Sequence, residues 1–161
     1  MWQSISEDER LRQLRALDFS GVAANPALQE LLNFIEDVFS VPAVRVHLVD
    51  EDRQHSLCGT GTSDPFEMTR DASVCTHTIR QEETLILRDM REDPFFTDHP
   101  LVIGAPYLRF YAGAVLRAPG GAGVGSLCLI DYVPRSFSGD DERRLIQVAR
   151  LVEYYVTGGA P

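Results

Sequence analysis

Apolar residues recur at two periods along this chain, and the switches between them divide it into elements. Ser6 and Glu9 have the spacing of a capping box, and Leu11, Leu14 and Leu17 follow at helical intervals, which predicts a short helix over residues 6–18 with a narrow leucine stripe. Asn25-Pro26 then reads as a cap and first-turn proline. Leu28, Leu31, Leu32, Ile35, Val38 and Phe39 make the next helix strongly amphipathic, suited to covering a sheet. Beyond Pro42 the period drops to two. Residues 43–49 alternate Val44, Val46 and Leu48 with Arg45 and His47, and a charged turn leads into a second strand over 54–60.

Asp71 or Ser73 is placed to cap a short helix that carries Cys75, Thr78 and Ile79 on one face. A strand over 84–88 precedes a long irregular stretch from Asp89 to Tyr107, of the kind that serves as a lid or binding loop. Two apolar strands, 109–116 and 123–132, form a second hairpin, and Ser138 with Asp141 starts a terminal helix. Hairpins flanked by helices predict an α+β fold on one mostly antiparallel sheet. Residues 1–20 are expected to form a helix packed on the terminal helix or at a dimer interface, with the domain proper at 21–157 and a tail at 158–161.

Composition narrows the chemistry. The chain has 161 residues and a formal charge of −9, and every basic residue is arginine. Without lysine there is no Schiff-base amine and no P-loop ammonium. The acidic balance opposes nucleic acid and anionic membranes, whose affinity comes largely from cations. No apolar run is long enough to span a bilayer and the first residues do not form a signal peptide, so a cytoplasmic location is expected. Cys58, Cys75 and Cys128 are three in number with no metal-type spacing, so reduced thiols are expected, with no metal and no cofactor.

Five strings carry a resemblance: Ser73-Val74-Cys75-Thr76-His77-Thr78-Ile79; Asp89-Met90-Arg91-Glu92-Asp93-Pro94-Phe95-Phe96; His99-Pro100-Leu101-Val102; Arg109-Phe110-Tyr111-Ala112-Gly113; and Gly125-Ser126-Leu127-Cys128-Leu129-Ile130-Asp131 with Pro134-Arg135. In this order, from Arg10 to about Val156, the chain resembles the GAF domain family, in particular standalone bacterial modules akin to those beside sensor histidine kinases and cyclic-di-nucleotide enzymes. The resemblance implies a GAF-like (PAS-related) central antiparallel sheet flanked by helices, with a ligand pocket on the loop-covered face. It implies a non-catalytic sensory or regulatory role, binding a small molecule or acting through protein contacts, with output to a separate effector chain. Cyclic-nucleotide-binding members carry a lysine-containing signature that is missing here. Bilin-binding members commonly place a histidine beside the attachment cysteine, whereas Cys75 and His77 are separated.

The candidate ligand residues are Cys75, Thr78, Asp89, Phe95, Arg109 and Tyr111, with no catalytic residue assigned. Cys75 at a helix start is either a redox-active thiol or a small core hydrophobe. Asp89 is either a ligand-orienting group or a turn former. Arg109 and Tyr111 share one strand face and either reach the ligand or brace the loop. The alternative function is a redox enzyme or sensor using Cys75, similar to free methionine-(R)-sulfoxide reductase. Cys58 and Cys75 fall near two of its three cysteines, but the attacking third is missing between Met90 and Phe110. A homodimer is expected through the leucine stripe and the surplus apolar residues Ile146, Leu151 and Tyr155 of the last helix.

Overall fold

The computed structural model describes residues 4–61 and 67–158. Its helices begin where polar side chains satisfy the first free N–H groups. Ser6 Oγ accepts from Glu9 N–H and starts α1, Glu7–Arg15. Asn25 Oδ1 accepts from Ala27 and Leu28 N–H ahead of α2, Pro26–Phe39. Ser138 and Asp141 bond reciprocally, side chain to backbone, to start α5, Gly139–Val156. Each such cap contributes about 1 kcal/mol.

Among the described residues, six strands form one antiparallel sheet: β1 Ala43–Val49, β2 Arg53–Gly59, β3 Met68–Thr69, β4 Thr84–Leu87, β5 Phe110–Arg117 and β6 Gly123–Asp131, in the spatial order β3-β2-β1-β6-β5-β4. The short β3 was not evident from the pattern. The α+β architecture otherwise matches the sequence expectation. On one face α2 and α5 bury Leu32, Ile35 and Leu145 against Val46, Phe110 and Leu127. The other face is covered by short pieces: α3 Val74–Thr78, a 3-10 turn at Met90–Glu92, and α4 Pro100–Ile103. Met90, Phe96, Val102 and Leu108 pack there against Tyr111, Cys128 and Ile130. The stretch from Asp89 to Tyr107 is therefore a packed cover with two turns of helix and a cis Ala105–Pro106 bond.

The first helix departs from expectation. Leu11 and Leu14 are buried against Ala118 and Val124 at the end of the β5–β6 hairpin, with Leu17 alongside. Arg10, itself buried, donates to the carbonyls of Val49 and Gly123. The leucine stripe is thus used within the chain, on the cover side of the sheet rather than on α5. A hairpin end offering apolar side chains and two strand-end carbonyls satisfies both the leucines and the guanidinium.

Candidate functional site

Polar side chains from four elements converge between the sheet and α3. Ser73 Oγ caps α3 by accepting from Thr76 N–H, which fixes the helix over the sheet and turns Cys75 and Thr78 inward. From β5, the Tyr111 hydroxyl lies 2.6 Å from Thr78 Oγ and 3.4 Å from Cys75 Sγ. From β1 and β6 come His47, Ser126 and Cys128. In the antiparallel register His47 faces Ser126 and Arg45 faces Cys128, so Ser126 and Cys128 project to the same side as His47. All of these residues are buried.

The two sulfurs are 3.4 Å apart, a contact without a bond. His47 Nδ1 lies 3.3 Å from Cys75 Sγ and 3.7 Å from Cys128 Sγ. Ser126 Oγ stands 3.0 Å from one sulfur and 2.8 Å from the other. Burial pushes the Cys75 thiol up, but the hydrogen bond from Cys128, the charge of His47 and the Ser126 hydroxyl outweigh it and hold Cys75 well below the ordinary thiol range. Burial, reinforced by the neighbouring Cys75, drives Cys128 well above that range, so Cys75 is the sulfur that ionises first. The Tyr111 phenol is also raised, by burial and then by the sulfurs beside it.

Next to this cluster His47, Cys75 and Tyr111 line a cavity of about 20 Å³ together with Gln54, Met68, Val74, Leu101, Leu108 and Ile130. That volume holds one water, not a nucleotide-sized ligand. A larger cavity of about 380 Å³ opens near α1, among Arg10, Arg70, Arg80 and Arg117. Three of those guanidinium groups are already committed: Arg10 and Arg70 to Glu7 and backbone carbonyls, Arg117 to the carbonyls of Gly121, Gln81 and Glu82. Of these two cavities, the one beside the thiols has Cys75 and His47 in its wall.

Of the six sequence candidates, the structure brings Cys75, Thr78 and Tyr111 together and leaves three outside. Asp89 caps the Met90–Glu92 turn and pairs with Arg91, which holds its carboxyl below the usual range. Phe95 is 66% exposed and meets His77 edge-on at 4.7 Å. The Arg109 side chain donates to the carbonyls of Val102 and Leu108, bracing α4, while its backbone carbonyl accepts from Met90 N–H in the Asp89 turn. In each case a loop carbonyl, turn N–H or ring was the nearer partner. Three cluster members were missed: His47, Ser126 and Cys128. Spacing rules for metal or catalytic motifs do not find them, because strand pairing and not sequence proximity joins them; the signal present was a serine inside the otherwise apolar β6.

Cys58 bears on the enzymatic alternative. Val46 pairs with Cys58 and His47 with Ser56, so Leu57 is extra in β2, and both Leu57 and Cys58 pack toward the α2–α5 face. Burial pushes the Cys58 thiol up to about 11. The sheet therefore separates it from the other two sulfurs.

A sequence model of the GAF domain matches residues 24–156. The cyclic di-GMP phosphodiesterase PA2567 of Pseudomonas aeruginosa is 34% identical over 149 residues, 91% of this chain but 25% of that protein, so the chain spans about a quarter of the curated relative it matches. Among solved structures, free methionine-R-sulfoxide reductase from Neisseria meningitidis, in complex with its substrate, superposes with a TM-score of 0.68 at 20% identity, covering 99% of this chain and 96% of that one. The GAF domain of an Acinetobacter phosphoenolpyruvate-protein phosphotransferase gives 0.66 at 17% identity, covering 94% of each chain. At these identities the likeness is one of fold.

Proposed function

Because the chain belongs to the GAF domain family, we propose that it is a non-catalytic sensory or regulatory module whose sensing centre is the buried cluster of His47, Cys75, Tyr111, Ser126 and Cys128. The carrying observation is the convergence of these polar side chains, from four elements, beside a cavity that His47, Cys75 and Tyr111 line under the α3–α4 cover. Burying so many polar groups is costly unless they are mutually satisfied, and a packed hydrophobic face would have been the cheaper way to stabilise the sheet. A molecule occupying this space would be small, unless the cover opens.

The relative's name indicates the kind of output: a cyclic di-GMP phosphodiesterase is a signalling enzyme that such a module could control. In this reading the signal passes to an effector by protein contact, and a second copy of the chain is the partner of the outer helices, where Phe34, Val38, Leu151 and Tyr154 are exposed. A cytoplasmic setting suits a centre built from reduced thiols. No helix among the described residues is long and apolar enough to cross a membrane.

A redox reading is kept because Cys75 and Cys128 lie in contact and the fold is shared with methionine sulfoxide reductases. Against turnover stands Cys58, on the other side of the sheet. The deciding experiment is thioredoxin-coupled reduction of free methionine (R)-sulfoxide by the purified chain. Background rates are expected; turnover that disappears in Cys75→Ser would replace the sensory reading with the enzymatic one.

A further inference from the structure

Taking the cluster as the sensing centre, we infer that His47 Nδ1, Cys75 Sγ and Cys128 Sγ bind one thiophilic metal ion, Zn²⁺ foremost, and leave a fourth coordination position beside the cavity. The donors come from β1, α3 and β6, all buried, and lie within 4.8 Å of one another. Their separations of 3.3, 3.4 and 3.7 Å place an equidistant point about 2.0 Å from each. Zinc bonds nitrogen at about 2.0–2.1 Å and sulfur at about 2.3 Å. An ion resting slightly off the plane of the three donors meets these lengths with side-chain adjustments of a few tenths of an ångström.

The donor chemistry selects the metal. Sulfur and imidazole suit Zn²⁺ and leave Mg²⁺ and Ca²⁺, which take oxygen ligands, without a site. Two thiolates cancel the charge of a divalent ion, so the loaded centre is neutral, as burial demands; loading holds both sulfurs as thiolates and the imidazole neutral, and any proton still on a ligand atom goes to solvent. The Ser126 hydroxyl, 3.0 Å from Cys75 Sγ and 2.8 Å from Cys128 Sγ, is placed to donate to one sulfur, and the Tyr111 hydroxyl, 3.4 Å from each, to the other, as groups around metal-bound sulfur do. Zinc sites that serve only structure close all four positions with protein ligands, whereas three protein ligands beside a one-water cavity leave a position for an incoming molecule.

The full chain, stripped with a chelator under reducing conditions, is given Zn²⁺, passed through gel filtration and assayed for bound metal by mass spectrometry. About one zinc per chain is expected, retained in Cys58→Ser and weakened on the order of 100-fold or more in Cys75→Ser and in Cys128→Ser. Should either variant fail to fold, Co²⁺ added to the unmodified chain reads the ligands directly through thiolate-to-cobalt charge-transfer absorption. A folded chain that retains no zinc, retains it only through Cys58, or gives no such absorption overturns the metal site. That failure is distinct from failure of the sensory role, which methionine sulfoxide turnover alone would overturn.

Discussion

The ring of Tyr111 occupies the space that a side chain at Gly113 would fill. The two residues are on the same face of β5, and a Cβ at Gly113 would come within 2.8 Å of Tyr111 Cε1 and Cζ. With only hydrogen there, the ring lies along the strand and carries its hydroxyl to Thr78, Ser126 and both sulfurs. Gly113→Ala is expected to displace the ring and cost about 1–3 kcal/mol, the usual range for overpacking. Urea denaturation measures it, and Gly113→Ala combined with Tyr111→Ala should recover much of the steric part. Equal additive losses would mean that the two positions do not share this space.

Glu7 gives a dependence on acid with a defined sign. Its carboxylate pairs with Arg10 and Arg70, and the Arg10 hydrogen bond above all lowers it from 4.5 to about 2. A carboxyl depressed on folding contributes stability above its unfolded value, here 4.5, and loses that contribution as pH falls through the folded value near 2. With the side chain 45% exposed, solvent screening limits the contribution to about 0.5–1 kcal/mol. The stability gap between the unmodified chain and Glu7→Gln should therefore narrow between pH 4.5 and 2. A gap that widens there contradicts the assignment.

Ser40 ends α2 in the left-handed region, at φ 51° and ψ 43°, where a side chain is unfavourable. Its carbonyl and that of Phe39 accept from Arg135, contacts that do not need the serine side chain. Ser40→Gly should stabilise the fold by about 0.5 kcal/mol, because the relief of strain exceeds the added freedom of the unfolded chain. A rise in melting temperature checks it.

Self-association is open to a direct measurement. Leu151 on α5 is 54% exposed, while the leucines of α1 are consumed inside the chain. Light scattering coupled to gel filtration is expected to give the mass of two chains at tens of micromolar, falling to one in Leu151→Glu. A single-chain mass for the unmodified protein removes the dimer.

Much of the fold was legible because its determinants are local. Asn25-Pro26 and Ser138 with Asp141 set helix starts within four residues, and the alternation of Val44, Val46 and Leu48 fixed which face of β1 meets α2 and α5. The candidate site was half legible. Cys75 and Thr78 share a helix and Tyr111 follows from alternation along β5, but His47 and Cys128 meet only through the pairing of β1 with β6, strands some 80 residues apart in sequence. Asp89 and Arg109 misled because a carboxylate and a guanidinium beside a loop read the same whether they hold a ligand or the loop itself.

β1 and β6, which carry His47, Ser126 and Cys128, lie side by side in the middle of the sheet. They are also the strands joined most directly to the outer helices: α2 runs into β1 through Ser40, Val41 and Pro42, and β6 reaches α5 across residues 132–138. Arg135 rivets the two junctions, bonding Asp131 at the end of β6 and the carbonyls of Phe39 and Ser40 at the end of α2. Mechanically this is a short lever. A shift of one of these strands past the other would pull on the Arg135 guanidinium and reach both helices across connections of three and seven residues.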